Sequence, residues 1–366
     1  MQCTAMIKVL EQLGHETIVI DYVHESARKY WAIWKSPFKA MCEQYRIAQG
    51  SRVHRYTSAV KKGINAVYDD RFYFERLKKK NSFARYSDTY WKISERYESS
   101  EELKKNPPGC DGYITGSDQV WNARATQGKL DDGYLLNFDT SEKKRLSYAA
   151  SIGFDPDIAY INDILEKTKY FDGVSVREKS VWEKFDYIKP GYAELVLDPT
   201  LLHVCDAWQK IEQPGKIKNK TFALVYRLSN NPEFNKLVVY LKKHRNVAVV
   251  DVSPPELKIP GCDLYHSSCS PSQFLWYVHN CELFTTDSFH GTVFAIIYHR
   301  EFYSLLRKGM ESRVNDLLNE CGLSGQLIRY IEQIPTKTIN IDFRKCDEYL
   351  LVQRKKSIDY LRKCGL

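Results

Sequence analysis

Apolar residues recur near helical spacing in TAMIKVLEQLG (4–14), and Gly14 falls where a helix ends in left-handed backbone, so the spacing predicts a helix closed by a C′ glycine. The run HETIVIDY (15–22) then reads as a short buried strand. In an α/β domain a strand precedes such a helix. This reading therefore expects the customary first strand and its loop to be missing, through an internal start or a truncated paralogue. The sheet gap so left is one that a partner chain, in a homo-oligomer for instance, can close.

Residues 30 to 105 crowd aromatic and basic side chains together, as in YWAIWKSPFKAMCEQY and DDRFYFERLKKK, and read as a helical elaboration. Beyond them, short apolar runs bounded by turn residues predict strands at CDGYIT (110–115), RLSYAAS (145–151), GVSV (173–176) and ELVL (194–197), with the helix REKSVWEKF behind the third. A linker is expected near LLHVCDAW (201–208). A second set of strands follows at KTFALVY (220–226), NVAVVDV (246–252), CELFTT (281–286) and EFYSLL (301–306), and CDEYLLVQRKKSIDYLRK reads as an amphipathic terminal helix. Alternating strands and helices predict an α/β protein of two Rossmann-like domains facing a cleft, residues 1–200 and 201–342, with 343–366 as a final helix.

Composition narrows this picture. At 366 residues, 43% of them hydrophobic, the chain can build two cores; 25 tyrosines and 7 tryptophans fill core and rim or suit a carbohydrate binder. A formal net charge of +8 favours anionic partners without calling for nucleic acid. The basic runs at 76–80, 143–145 and 354–356 are scattered, as solvated helix faces are, and also suit a phosphate-bearing substrate or a peripheral contact with anionic lipid. Ten cysteines without a Cys-x-x-Cys pair argue against a zinc site. With neither a signal peptide nor eighteen consecutive apolar residues, the expectation is a cytoplasmic protein with reduced thiols. No Gly-x-Gly-x-x-Gly follows a strand and no Walker A sequence occurs, which argues against a standard dinucleotide or P-loop site.

Four polar clusters end predicted strands: GSDQVWN (116–122), SIG (151–153), SVRE (175–178) and TDSFHG (286–291). The carboxyl ends of strands line the ligand crevice in open α/β sheets, so these clusters are candidates for one site. Asp118 either caps a turn or acts as base or acceptor for a substrate hydroxyl. Trp121 is either a sugar-stacking platform or a core residue. Arg177 either pairs structurally with Glu178 or another carboxylate, or offers its fork to a substrate carboxylate or phosphate. The loop around Ser288, His290 and Gly291 places polar groups at a helix start, where an anion is held, and a histidine there is electrostatically unusual unless an anion is bound as well.

GYITGSDQVWN, YLLNFD, RLSYAASIG, GVSVREKS, VLDPTLL and TTDSFHGTVFAII, in that order, resemble the polysaccharide pyruvyltransferase family over roughly residues 1 to 330. The resemblance implies a fold like that of B-type glycosyltransferases, and transfer of pyruvate from phosphoenolpyruvate to a pair of sugar hydroxyls as a ketal, during synthesis of surface polysaccharide. It implies no redox cofactor and no metal, and an acceptor that is a sugar or a lipid-linked saccharide. Carried over by position, His290 is implicated in donor binding or proton transfer and Arg177 in donor binding. Gly116, Ser117 and Asp118 fall nearer the acceptor or the cleft. Arg313 either faces the donor phosphate or is a surface arginine. Many members carry arginine two residues before the motif histidine; here Ser288 stands there, leaving Arg307, Arg313 or Arg329 to replace that clamp. Competing readings are a B-type glycosyltransferase using a nucleotide sugar and a non-catalytic relative.

Overall fold

The computed structural model describes residues 1–24, 45, 51–70, 72–126, 128–139, 142–218, 221–306 and 311–366. Residues 30–44 and 46–50 of the aromatic and basic elaboration lie outside them, as does Arg307.

The first part of the chain contains α1 (Gln2–Gln12), β1 (Val19–Tyr22), α2 (Arg52–Asp70), α3 (Tyr73–Tyr90), β2 (Ile93–Tyr97), α4 (Ser100–Lys105), β3 (Gly112–Gly116), β4 (Lys144–Tyr148), α5 (Ile158–Lys167), β5 (Val174–Val176), α6 (Lys179–Ile188) and β6 (Ala193–Leu195), with β3 to β6 falling where the apolar runs predict strands. Its strands pair in parallel as β1 with β2, β3 with β4 and β5 with β6, and the isolated bridges Leu146–Gly173 and Ala150–Val176 tie β4 to β5. Ser147 and Ser175 explain why buried strands tolerate polar residues. Ser147 Oγ accepts from the Ser175 N–H at 2.9 Å, and Ser175 Oγ donates to the Ser147 carbonyl at 2.8 Å, so each hydroxyl replaces a ladder bond.

The second part contains α7 (Cys205–Gln209), β7 (Phe222–Tyr226), α8 (Glu233–His244), β8 (Ala248–Asp251), β9 (Leu264–Tyr265), α9 (Pro271–Asn280), β10 (Leu283–Thr286), α10 (Phe289–Ile297), β11 (Glu301–Leu305), α11 (Glu311–Glu320), β12 (Leu327–Ile328) and α12 (Arg344–Lys363). Its six strands form one parallel sheet in the order β12-β11-β10-β7-β8-β9. From β7 the chain winds outward through β8 and β9, then returns to β10 and winds the other way. The neighbours β7 and β10 therefore flank the topological switch point, where doubly wound sheets open a crevice at their carboxyl ends. A mixed α/β fold with parallel sheets is thus what the alternation of short apolar runs specifies.

The stretch near 201–208 that connects the two parts is packed, with Leu201 and Trp208 buried and the Trp208 ring meeting Phe294 edge-on at 5.0 Å. One segment differs from the sequence expectation: β2 interrupts a region expected to be helical throughout. Finally α12 turns back across the first part, where Tyr360 and Leu361 join Val9, Tyr148, Ala149 and Val196 in one buried cluster.

Candidate active site

Asp198, just after β6, is the centre of the site. It opens a short 3-10 turn, Pro199–Leu202, and its Oδ1 accepts from the Thr200 N–H at 3.0 Å and hydroxyl at 2.6 Å. Its Oδ2 accepts from Arg177 Nη1 at 2.6 Å, Gln2 Nε2 at 2.9 Å and Ser117 Oγ at 3.2 Å, with His290 Nε2 at 3.5 Å. The carboxylate is 1% exposed. Burial alone would raise its pKa, but His290, Arg177 and Thr200 override that and hold it well below the ordinary carboxylate range.

Arg177 follows β5, and its side chain is 4% exposed. Besides Asp198 it donates from Nη1 to the Ser117 carbonyl at 2.9 Å, and its guanidinium carbon lies 5.0 Å over the Phe289 ring. Asp118 Oδ1 and Glu178 Oε1 stand 3.8 and 3.7 Å from Nη2, close enough to attract it without hydrogen bonds. The edge formed by Nε and Nη2, the one shaped for side-on bidentate recognition, is buried and has no hydrogen-bond acceptor. Burial opposes the charge, but three carboxylates around the guanidinium raise its pKa above the ordinary arginine value.

His290 sits in the first turn of α10. Ser288 is the N-cap, and its hydroxyl accepts from the Gly291 N–H at 3.3 Å, so it satisfies an orphan donor of the helix. Gly291 is required here, because a Cβ would come within 2.5 Å of Thr286 Oγ1. Asp287 turns away, accepting from the Leu228 N–H at 2.6 Å and from the Ser229 hydroxyl, which bridges the loops after β7 and β10 at the switch point. His290 Nε2 is buried and has no hydrogen-bond partner.

Gly116 has φ +129, and a Cβ there would overlap the Tyr148 carbonyl oxygen, so only glycine lets β3 end where Ser117 meets Asp198 and Arg177. Asp118 points outward, with a side chain 65% exposed. Arg313 is 8% exposed rather than a surface arginine, and its Nη1 lies 3.9 Å from Glu178 Oε1. Arg329 is exposed. Trp121 is core, fully buried beside Phe185 at 6.5 Å.

The structure thus brings together Ser117, Asp118, Arg177, Ser288, His290 and Arg313. Sequence reasoning missed two members, Asp198 and Gln2, and gave Glu178 only as a structural partner of Arg177. Asp198 stood within the quoted VLDPTLL run, Glu178 followed Arg177, and Gln2 carried no signal at all. Glu178 stands at the N-cap of α6, yet its carboxylate does not cap; it takes the Ser151 hydroxyl instead. A cleft of about 730 Å3 reaches Arg177, Glu178, Asp198, Phe289, Arg313 and Lys356, while His290 and Asp118 lie outside its wall. Among the described residues, no cluster of three or more potential metal ligands occurs, and no helix is long and apolar enough to cross a membrane.

Among solved structures the chain is similar to a UDP-N-acetylglucosamine 2-epimerase from Rickettsia bellii, at 12% identity over 98% of this chain and 93% of that one, with a TM-score of 0.49. A putative UDP-N-acetylglucosamine 2-epimerase from Listeria monocytogenes matches at 12% identity, covering 95% and 91% with a TM-score of 0.44. The Methanocaldococcus jannaschii UDP-GlcNAc 2-epimerase, solved with UDP-GlcNAc and UDP, matches at 12% identity, covering 69% and 77% with a TM-score of 0.40. No curated protein matches the chain. A family model described as polysaccharide pyruvyl transferase matches residues 1–308, a span that holds every side chain bonded to Asp198, so the chain belongs to the polysaccharide pyruvyl transferase family.

Proposed function

We propose that the chain transfers the pyruvyl group of phosphoenolpyruvate to two hydroxyls of a sugar, free or lipid-linked, as a cyclic ketal. The observation that carries this is the unfilled donor set. Arg177 Nε and Nη2 are buried beside Asp198 without hydrogen-bond acceptors, and His290 Nε2 stands 3.5 Å from the Asp198 carboxylate, too long for a good hydrogen bond, an arrangement that costs free energy until an anion fills it. Asp198 takes one side of the guanidinium and leaves the bidentate edge for the donor carboxylate.

The overall change is balanced by two hydroxyl protons. One is gained at the methylene carbon of the donor, which becomes a methyl group, and the other leaves with inorganic phosphate. Protonation of the methylene makes the adjacent carbon electrophilic. One sugar oxygen bonds to it, the carbon–oxygen bond to phosphate breaks, and the second sugar oxygen closes the ring. In this reading His290 Nε2 moves the proton at the methylene, Arg313 faces the phosphate, and the exposed Asp118 carboxylate accepts a hydroxyl proton at the mouth. Ser288 and Gly291 shape the helix start, and Gly116 and Ser117 hold the backbone that faces the acceptor. Residues 1–200 and 201–342 serve as the two walls.

Thermal unfolding with phosphoenolpyruvate, uridine diphosphate or inorganic phosphate tests this. A ligand at a hundred times its Kd adds about 2.7 kcal/mol. The expected result is stabilisation by phosphoenolpyruvate that is lost in Arg177→Lys, because an ammonium cannot bind side-on, and in His290→Ala. Stabilisation by the nucleotide alone would favour glycosyl transfer, and full activity of Arg177→Lys would overturn the role given to that residue.

A further inference from the structure

A second cavity, of about 670 Å3, lies between α3 and the start of α9, and none of its walls belongs to the Asp198 cluster. It opens where β9 ends and α9 begins, the carboxyl edge at which parallel sheets take ligands. Its described lining is polar throughout, with serines, a threonine and glutamines around Tyr86 and Tyr90 and no aliphatic residue. Three cations, Lys78, Arg85 and Lys216, face one carboxylate, Asp88. His266 adds no charge near neutral pH, since burial and the neighbouring Lys216 hold its imidazole down at about 4.

Two observations at the end of α9 point to a missing acceptor. Ser270 and Gln273 form a capping box that consumes the Gln273 N–H, leaving that of Ser272 in the first turn as an orphan donor. Ser272 itself is 2% exposed, lines the cavity, and its hydroxyl has no hydrogen-bond partner. A buried hydroxyl beside an orphan N–H at the positive end of a helix dipole, ringed by cations, suits a phosphate. The space exceeds what bare phosphate fills, and hydroxyl and amide walls with tyrosine rings suit a sugar.

We propose that this cavity binds a phosphorylated saccharide, with the phosphate on Ser272, Lys78 and Lys216 and the sugar hydroxyls on the serine, threonine and glutamine walls. The site also gives a use to Lys78, one residue of the basic run 76–80 on α3. The proposal does not depend on pyruvyl transfer, since it concerns binding at a separate place.

Isothermal titration of the full chain with glucose 1-phosphate, glucose, inorganic phosphate and UDP-N-acetylglucosamine tests it. The wild type is expected to bind glucose 1-phosphate more tightly than either glucose or phosphate. Ser272→Ala should weaken binding about tenfold, and the double variant Lys78→Glu, Lys216→Glu, confined to exposed positions and so able to fold, should abolish it. Tighter binding of the nucleotide sugar with the same sensitivity to both variants would support the site and assign its phosphate to a nucleoside diphosphate. Glucose or bare phosphate binding as tightly as glucose 1-phosphate would overturn the proposal. So would affinity unchanged in both variants, or no binding of either phosphorylated sugar by the wild type.

Discussion

At the scale of single residues, Asp198 has the most to lose. Replacing it with Ala leaves the Arg177 guanidinium buried without its closest counter-charge, and removing one partner of a buried pair costs about 3–5 kcal/mol. Chemical denaturation of Asp198→Ala should show a loss of that order; a loss below about 1 kcal/mol would mean that water already compensates the charge. Glycines give a second contrast. Gly116 and Gly191 both have positive φ, but a Cβ at Gly191 meets nothing within 4 Å, whereas at Gly116 it overlaps the Tyr148 carbonyl. In chemical denaturation Gly191→Ala should cost about 1 kcal/mol of backbone strain, whereas Gly116→Ala should give no soluble folded protein on expression. Individual residues were unevenly legible in the sequence. Arg177 and His290 stood out because each sits in a polar cluster that ends an apolar run. Asp198 did not, because aspartate before proline also reads as an ordinary turn, and only the folded chain brings Gln2, Ser117, Arg177 and His290 onto it. Arg313 was equally ambiguous, since nothing in ESRVNDLL says which face of its helix is covered.

At the scale of elements, the strands declare themselves where their residues are β-branched or aromatic on both faces. FALVY, AVVD and LFTT are central strands of a parallel sheet, buried on both sides, and so read as mainly apolar runs whose polar residues fall at their carboxyl ends. The strand β2 escaped because ISERY has only its final tyrosine buried, and its half-buried serine and exposed glutamate and arginine belong equally well to a helix. Helix starts follow their caps. Ser270→Ala removes the hydroxyl that accepts from Gln273 and should lower stability by about 1 kcal/mol in denaturant titration. An unchanged midpoint would show that the Gln273 side chain suffices to hold the turn.

At the scale of the whole molecule, acid should loosen the structure from two directions. His266 binds its proton near 6.5 when unfolded but only at about 4 when folded, so the unfolded state takes up protons first. The stability this residue contributes is complete above pH 6.5 and declines as pH falls toward 4. Asp198, held below its ordinary 3.8, adds a further loss below that value. Melting temperature should therefore fall between pH 6.5 and 4, and His266→Asn should flatten that decline; an unaltered slope would place the proton uptake elsewhere.

The return of α12 across the first part of the chain bears on the order of events during synthesis. Tyr360 donates to the Ser147 carbonyl at 2.8 Å, Ser357 accepts from the Leu197 N–H at 3.0 Å, and Arg354 donates to the Leu201 carbonyl at 2.7 Å. The strand and loops that shape the Asp198 turn are therefore finished by residues some 150 to 210 positions later. A ribosome releases the amino-terminal half well before it makes this helix. Until residues 344–363 emerge, the nascent protein exposes the apolar surface around Val9, Tyr148, Ala149 and Val196 that they cover, and that surface is open to other chains for as long as synthesis takes.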